Sequence, residues 1–481
     1  MGLRIAVIGA GASGIAAAAR MRAAGHDVQV FEKAARLGGT WRENRYPGVA
    51  CDIPSHLYRF SFAPNPDWSM EYAGGAEILA YLDRAARDLG VAGLIRCGEE
   101  VRRAALEGRR WRLTTTSGDA GAFDLVIAAM GVLHKPVLPA IPGREAFAGR
   151  SFHSARWPED LSLDGLRVGV IGTGSSATQI VSAVADRVAR IALFQRTPQW
   201  IFSVPNRPIA AAKREAFAAE PERMRGLYDM LGEAMNGRFA AALVGRNPEA
   251  LAEIEANCRA NLARVRDPDL RARLTPDYEV GCKRLVISDR FYEAIQSPAA
   301  QLVTDPIERI EAEGVRTGDG ALHALDVLVF ATGFDTFNFH RPMKVIGRAG
   351  RDLDDDWAGS SRALRSVAVP GYPNFFFVGG PNSPIGNFSF LMTAEAQVGF
   401  IAGLADLVEA GEAPRLVEPR EDATQDWNAR LEAAMPGTVW AAGGCSSWYF
   451  DRSGKVASWP WTYEDFTASL ARPDPAEFHL A

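Results

Sequence analysis

Two glycine-rich loops have the composition needed to bind the pyrophosphate of a dinucleotide. The first is GAGASG at residues 9–14, and the second is GTGSSA at residues 172–177. In such a loop the first glycine makes a tight turn, and the second lets the backbone approach the phosphates. The small third position lets the next helix pack on the strand, and the helix N-terminus faces the negative charge. The spacing therefore predicts two dinucleotide sites in one chain.

The residue expected at the end of the second strand of each unit distinguishes the two sites. Glu32 lies about 20 residues beyond the first loop, where a carboxylate accepts hydrogen bonds from a ribose 2′-hydroxyl. The second unit has Arg196 and Thr197 at this place. A guanidinium there suits a 2′-phosphate, because it offers a planar fork of donors. We therefore expect FAD at the first site and NADPH at the second.

Two such sites predict hydride transfer from nicotinamide to flavin, which leaves the class of enzyme open. Disulfide reductases share this arrangement, but they need a redox cysteine pair near the flavin. The chain has five cysteines and no CxxC pair: Cys51, Cys97, Cys258, Cys282 and Cys445. We therefore expect neither a disulfide framework nor a metal site, and a reducing cytoplasm fits this composition. Molecular oxygen is then the expected electron acceptor.

Each loop needs a strand before it and a helix after it, and the sequence contains both. In the first unit, apolar residues 3–8 precede the loop, and a second strand is expected over 27–32. In the second unit the expected strands are 167–171 and 190–194. Such units imply parallel sheets. We predict an α/β fold with two Rossmann-like dinucleotide-binding domains.

Composition also suggests how the domains are arranged along the chain. Residues 208–276 are rich in Ala, Glu and Arg at helical spacing, which predicts a helical insertion. The Pro- and Gly-rich residues 135–149 are typical of a connection between domains. The predicted boundaries are 1–140 and 333–481 for the FAD-binding domain, 150–207 and 277–332 for the NADP-binding domain, and 208–276 for the insertion.

Two segments between the loops resemble fingerprints of type I Baeyer–Villiger monooxygenases, which are class B flavoprotein monooxygenases. Residues 147–158 match FxGxxxHxxxWP and include His153 and Trp157. Residues 38–52 match [A/G]GxWxxxx[F/Y]P[G/M]xxxD in full. Related enzymes that oxidise amines and sulfides usually carry a different aromatic residue where Trp157-Pro158 stands here.

Three more segments extend the resemblance over nearly the whole chain. GCKR at residues 281–284 is similar to the family segment that carries an active-site arginine, here Arg284. ATG at 331–333 also fits the pattern of the family, and the stretch from 445 to 460 resembles its closing region. The chain lacks the longer termini of some relatives.

The resemblance implies a reaction. NADPH would reduce FAD, the reduced flavin would form a C4a-peroxide with O2, and this peroxide would convert a ketone to an ester or lactone. Negative charge develops on oxygen in these steps, so a fixed cation is needed. Arg284 fits, because its guanidinium does not lose its proton. Asp52 is the expected partner that orients Arg284 and lowers the cost of burying its charge.

The loops and fingerprints together define the expected site. The residues expected at FAD are Gly9, Gly11, Ala12, Gly14, Glu32, Thr40, Trp41, Asp52 and Val101. The residues expected at NADP are Thr173, Gly174, Ser175, Ser176, Gln179, Arg196, Thr197 and Lys283. Lys283 is either a second contact to the 2′-phosphate or a solvated charge. The resemblance implies that His153 couples domain movement to NADP binding rather than transferring a proton.

Several alternatives stay open. The chain could instead be a flavin monooxygenase that oxidises sulfur or nitrogen, or an NADPH oxidase or reductase. Residues 383–393 are expected to approach the flavin and the substrate. Residues 440–449 are either a mobile closing segment or part of the packing.

The overall charge and hydropathy narrow the possible partners. The net charge is −5, which leaves no basic surface for nucleic acid. The first residues read as a strand, so no signal peptide is expected. The longest apolar candidate, 396–408, is interrupted by two glycines and an aspartate, so we expect no membrane span. We predict a cytoplasmic monomer or homodimer whose small-molecule partners are O2 and a ketone.

Overall fold

Two five-stranded parallel sheets, each built around one glycine loop, organise the chain. The computed structural model describes residues 2–384, 386 and 388–481. The first sheet contains, in spatial order, Phe375–Phe377, Leu125–Ala128, Arg4–Ile8, Asp27–Glu32 and Ile95–Cys97. The second contains Ala300–Val303, Arg190–Phe194, Arg167–Ile171, Val327–Phe330 and Arg150–His153. The predicted α/β fold with two Rossmann-like units is confirmed.

The register places the ends of both central strands beside the glycine loops. Ile8 lies opposite Phe31 on one side and Ala128 on the other. In the second sheet Ile171 lies opposite Phe194 and Phe330. Since both faces of a parallel sheet are covered, its strands are continuous apolar runs rather than alternating ones.

The first loop is shaped by close packing of strand and helix. The helix Ala12–Ala23 begins directly after it and packs against the long helix Phe390–Glu409. A Cβ placed on Gly14 would lie 1.8 Å from the carbonyl oxygen of Gly9. Only glycine permits this approach, so the third glycine of the motif is explained by packing rather than by a ligand.

Smaller sheets complete the two domains. In spatial order they are Lys344–Ile346, Val101–Glu107, Arg110–Thr115 and Gly118–Phe123; Ile307–Glu311, Gly314–Thr317 and Leu322–Ala324; Ile201–Phe202 and Val286–Ile287; and Val417–Pro419 and Phe478–Leu480.

The predicted insertion is helical. Its segments are Ala211–Ala219, Pro221–Glu233, the π-helical Ala234–Ala240, Ala241–Leu243, Pro248–Leu262 and Pro268–Arg273. Three of these helices begin with proline, whose missing N–H costs nothing in the first turn. The side chains of Asn247 and Asp267 cap the last two by accepting backbone N–H bonds.

The remaining helices cover the sheets. The α-helices are Thr40–Glu43, Gly75–Asp88, Ser175–Val184, Phe291–Ala294, Leu353–Asp356, Glu421–Ala434, Val439–Ala442 and Tyr463–Ser469. The 3₁₀ turns are Ala92–Leu94, Arg144–Ala146, Ser154–Arg156, Arg348–Gly350, Met435–Gly437 and Pro475–Glu477.

The expectation that glycines and an aspartate interrupt the apolar stretch 396–408 is wrong. Among the described residues one helix, Phe390–Glu409, is long and apolar enough to cross a membrane by length and composition. Its glycines and single aspartate do not interrupt it. Within the fold, 67% of its most apolar window is buried, and the helix packs into the core of the first domain.

The expectation of unpaired cysteines is also wrong. Cys282 and Cys445 form a disulfide with their Cα atoms 6.0 Å apart. The two residues are separated by 163 positions, and tertiary folding brings them together. No CxxC spacing is needed for such a bond, so the sequence pattern did not reveal it.

Candidate functional site

A cleft of about 1010 Å³ lies along the carboxyl ends of the first parallel sheet. Such edges are where ligands bind in open α/β sheets. Seven of the nine residues expected at FAD line it: Gly9, Gly11, Ala12, Glu32, Thr40, Trp41 and Val101. Gly14 lies beneath the loop, and Asp52 lies outside the residues that line this cleft.

Glu32 is buried and held by the backbone. Its Oε2 accepts a hydrogen bond from the N–H of Ala10 at 2.8 Å, and its Oε1 accepts one from the N–H of Ala34 at 2.9 Å. A carboxylate has about four acceptor positions, so each oxygen can accept a further hydrogen bond. Glu32 is therefore fixed at the cleft with capacity for two ribose hydroxyls.

Two glycines from different segments meet at the cleft and leave it open. A Cβ on Gly39 would lie 3.0 Å from the Cα of Gly11. Gly39 also has a φ of 52°, a conformation that side chains disfavour. The backbone of both segments thus approaches the same space, which suits a pyrophosphate. The shape of the cleft fits a dinucleotide such as FAD.

Sequence reasoning missed several residues of this cleft. They include Tyr58, Glu99, Met130 and His134, whereas Phe390, which also lines the cleft, was not missed. Phe390 belongs to the stretch 383–393, which was expected near the flavin, whereas Ile385 and Asn387 lie outside the described residues. The small residues after the strand Leu125–Ala128 were a usable signal for Met130, because that strand ends at the same edge.

The second loop precedes a helix whose first turn is small and neutral. Gly174 is followed by the helix Ser175–Val184. Thr173 donates from Oγ1 to the carbonyl oxygen of Thr197 at 2.7 Å, which ties the loop to the end of the neighbouring strand. Backbone N–H groups of the loop and the helix start are therefore arranged for an anion.

Two cations lie near each other beside this loop. Arg196 is exposed, and Lys283 lies with its Nζ 4.7 Å from the centre of the Tyr278 ring. Partial burial and the nearby charge of Arg196 lower the pKa of Lys283. Like charges held together are unfavourable unless an anion binds between them. The pair therefore fits the 2′-phosphate of NADPH.

Two of the residues expected at NADP also contact the first domain. Ser176 donates to the hydroxyl oxygen of Tyr46 at 3.1 Å, and Tyr46 donates to Oε1 of Gln179 at 3.0 Å. Gln179 also donates to the carbonyl oxygen of Ala50 at 3.0 Å. Gly48 lets the helix approach, because a Cβ there would lie 2.7 Å from the carbonyl oxygen of Gln179. The YPG part of the fingerprint is thus an interdomain contact.

Arg284 and Asp52 form a charged pair between the two domains. Nε and Nη2 of Arg284 donate to Oδ2 of Asp52 at 3.0 and 2.5 Å. The side chains are 29% and 22% exposed, so a ligand can reach both. Burial alone would lower the pKa of Arg284, but the charge of Asp52 and the nearby Tyr449 raise it above its ordinary value. The guanidinium is a permanent cation.

His153 lies where the chain returns to the first domain. Its Nδ1 accepts a hydrogen bond from the N–H of Ala155 at 3.1 Å, so the proton is on Nε2, which lies 3.0 Å from the carbonyl oxygen of Gly333. Burial lowers the pKa of His153, which favours this neutral form. Gly333 also accepts from the N–H of Val137 in the other connection between domains. Trp157 is buried against Phe152 beneath this junction.

Tyr449, in the segment 440–449, lies near Arg284. Tyr449 is buried and stacks on Trp448, with ring centres 5.0 Å apart. These two residues help to line a small cavity of about 310 Å³ with Phe337 and Phe339. Trp440 and Tyr449 of this segment belong to a buried apolar core, so the segment is part of the packing.

Comparison with known proteins places the chain in a family. Residues 7–73 match the model of an NAD(P)-binding Rossmann-like domain. A Baeyer–Villiger monooxygenase of Streptomyces coelicolor is 40% identical over 99% of this chain and 92% of its own length. The closed crystal structure of cyclohexanone monooxygenase superposes with a TM-score of 0.88 at 30% identity, covering 100% of this chain and 99% of that one. The crystal structure of OTEMO in complex with FAD and NADP has a TM-score of 0.86 at 27% identity, with coverage of 100% and 99%. With its two dinucleotide sites and an arginine–aspartate pair between them, the chain belongs to the Baeyer–Villiger monooxygenase family.

Proposed function

We propose that this protein is an FAD- and NADPH-dependent Baeyer–Villiger monooxygenase that converts ketones to esters or lactones with O2. The observation that carries the proposal is the Arg284–Asp52 pair, which lies between the domains and is reachable from solvent. Membership of the family and the two dinucleotide sites support the same conclusion.

The first domain would hold FAD through the cleft residues. Glu32 binds ribose hydroxyls, and the backbone around Gly11 and Gly39 accommodates the pyrophosphate. Thr40 and Trp41 also line this cleft. When bound, FAD supplies the oxygen-activating chemistry and NADPH supplies the hydride.

The second domain would hold NADPH at the loop that begins at Gly172. Arg196 and Lys283 bind the 2′-phosphate, and Thr173, Gly174 and Ser175 face the pyrophosphate. Ser176 and Gln179 keep this loop against the first domain through Tyr46. This contact would keep bound NADPH beside the first domain, where FAD would be held.

Arg284 would stabilise the negative oxygen that develops on the ketone. A preorganised cation is most effective when it needs no reorganisation during the reaction. Asp52 holds the guanidinium through two nitrogens on one oxygen, which leaves Nη1 and the remaining N–H directions for the substrate. A guanidinium keeps its proton at neutral pH, and Asp52 raises the pKa of Arg284 further, so this charge is permanent during the reaction.

His153 would couple the domains rather than transfer protons. Its two ring nitrogens are engaged by Ala155 and Gly333, and Gly333 stands in the returning connection. A His153→Ala variant should keep its FAD but release more hydrogen peroxide per NADPH. Unchanged peroxide formation would remove this role.

We also infer that the enzyme works in the cytoplasm, where NADPH is supplied, as a monomer or homodimer. Its expected partners are a small ketone and O2, with no nucleic acid.

The test uses purified holoenzyme with NADPH, air and a panel of ketones and sulfides, and products are identified by mass spectrometry. Ketones should gain one oxygen as esters or lactones. Arg284→Ala should lose about 10²- to 10³-fold in kcat, the usual cost of removing one group that stabilises an oxyanion. Arg187→Ala, which breaks an exposed ion pair with Asp164, is the control and should keep full activity. Sulfoxides without esters would favour a sulfur-oxidising enzyme, and peroxide without any oxygenated product would favour an oxidase.

A further inference from the structure

The disulfide between Cys282 and Cys445 joins the segment that carries Arg284 to residues 443–452, which overlap the segment 440–449 and are called the closing segment from here on. Arg284 follows Cys282 by two positions, and Tyr449 follows Cys445 by four. Tyr449 is close enough to Arg284 to help raise the pKa of its guanidinium. One covalent bond therefore holds both parts of the substructure around the reactive arginine.

The backbone on both sides of the bond is arranged for close approach. The N–H of Glu279 donates to the carbonyl oxygen of Gly443 at 2.9 Å. A Cβ on Gly443 would lie 2.8 Å from the Cβ of Cys282, so only glycine fits beside the bond. The N–H of Cys445 lies 3.2 Å from Sγ of Cys282. The two segments are thus held together by a backbone hydrogen bond and close packing as well as by the disulfide.

The other end of the closing segment is attached to the first domain. The carbonyl oxygen of Trp448 accepts a weak hydrogen bond from Oγ1 of Thr336 at 3.4 Å. Arg452 pairs with Asp335 at 3.3 Å. Residues 335 and 336 belong to the part of the chain that returns to the first domain. The closing segment therefore spans the two domains, with a covalent anchor on one side and polar contacts on the other.

The two sulfurs differ in access. Cys282 is completely buried, whereas Cys445 is partly exposed between the exposed residues Gly444 and Ser446. An external thiolate would therefore reach Cys445 more readily than Cys282. The electron pair of the broken bond would then leave on Cys282, where the N–H of Cys445 already faces the sulfur.

We propose that Cys282 and Cys445 form a thiol–disulfide exchange site, opened by a dithiol reductant, that controls how firmly the closing segment holds Arg284 against Asp52. One thiolate of the dithiol bonds to Sγ of Cys445, and the protein disulfide breaks. The second thiolate of the dithiol then displaces Cys445 and forms the disulfide of the reductant. Two electrons pass to the protein, and the two protons of the dithiol end on Cys282 and Cys445.

The disulfide and the polar contacts together determine how firmly the closing segment is held. The oxidised protein keeps the closing segment over Arg284. In the reduced protein the segment is held only by its polar contacts and by the packing of Tyr449 and Trp448, so it opens more often and Arg284 is positioned less firmly. The exchange site itself does not depend on the proposed reaction, but its expected effect on turnover rests on it.

The first part of the test needs no activity. Full-length holoenzyme, purified without reductant, is denatured, alkylated and mapped by mass spectrometry before and after treatment with dithiothreitol. Before treatment Cys51, Cys97 and Cys258 should be alkylated and the other two cysteines should be linked. After treatment all five should react. Free thiols at Cys282 and Cys445 even after equilibration with oxidised glutathione would overturn the proposal.

The second part compares the oxidised and reduced forms. Reduction should raise hydrogen–deuterium exchange in residues 443–452 by at least about threefold, and should increase the peroxide released per NADPH. Cys445→Ser should behave like the reduced wild type and ignore dithiothreitol. Cys97→Ser removes an exposed free thiol and should respond like the wild type. Equal hydrogen–deuterium exchange in the oxidised and reduced forms would overturn the proposal. A change in exchange without any ester product would instead overturn the proposed reaction and leave the exchange site standing.

Discussion

The guanidinium of Arg284 and the carboxylate of Asp52 meet across the boundary between the two dinucleotide-binding domains, with two nitrogens on one oxygen. The two residues are separated by 232 positions in the chain. Arg284 supplies the cation, and Asp52 fixes its position. The pair depends on how the domains are docked, so its geometry reports on both the chemistry and the domain arrangement.

Asp52→Asn should lower the yield of oxygenated product per NADPH by about 10- to 100-fold, the usual effect of removing a group that orients a reactive one. The amide keeps the shape but loses the charge that holds Arg284. The measurement is product formed against NADPH consumed, with FAD content determined for each variant. Asp164→Asn, which weakens an exposed ion pair, should not change this ratio. Full coupling in Asp52→Asn would show that Arg284 is held without the charge.

Arg196→Ala should raise the KM for NADPH by about 10- to 100-fold, because a hydrogen bond to a charged group contributes about 1.5–3 kcal/mol. The KM for NADH should stay unchanged, since NADH lacks the 2′-phosphate. Lys283→Met should show the same selectivity with a smaller effect, because Lys283 is partly shielded by Tyr278. An equal loss for both cofactors would place these cations away from the phosphate.

Gly48→Ala should destabilise the protein by about 1–3 kcal/mol, since overpacking at a close contact has this cost. A Cβ there would lie 2.7 Å from the carbonyl oxygen of Gln179 and 2.8 Å from the Cβ of Ala183, at a φ of 80°. Gly98→Ala is the matched control, because its φ is 77° and the space around it is open among the described residues. Gly98→Ala therefore measures the backbone cost alone. Equal losses in urea unfolding would mean that the helix moves aside at no cost.

His56 should make the protein less stable in mild acid. It is buried against Phe217, and burial together with the nearby Lys213 and Arg59 lowers its pKa to about 4. Among the described residues neither ring nitrogen has a hydrogen-bond partner. The folded protein keeps His56 neutral, whereas the unfolded chain binds a proton near pH 6.5. Stability is therefore fully present above about pH 6.5 and falls as the pH drops towards 4.

Between pH 7.5 and pH 5 this difference amounts to roughly 2 kcal/mol, because each pKa unit corresponds to about 1.4 kcal/mol. His56→Leu should remove this part of the acid sensitivity. The free energy of unfolding is measured in urea at both pH values for the variant and the wild type. Identical pH dependence of the two proteins would mean that His56 does not titrate as its burial indicates.

The local pattern of the sequence was enough to predict the two Rossmann-like units. Glycine spacing, the apolar strands before each loop and the residue types at positions 32 and 196 depend only on neighbouring residues. The structure places Glu32 at the cleft on two backbone donors and leaves Arg196 exposed near Lys283. The helical character of the insertion was also visible, because its periodicity is local.

Contacts between distant segments were decided only by the tertiary structure. Ser176 and Gln179 are predicted at NADP from their place in the loop, but their contact with Tyr46 depends on how the domains dock. Cys282 and Cys445 carry no spacing signal and are joined because two distant segments fold side by side. The helix Phe390–Glu409 has the composition of a membrane span, and its burial in the first domain follows from packing that no window of sequence contains. Local features such as the glycine loops are determined by neighbouring residues, whereas these pairings depend on the free energy of the whole fold.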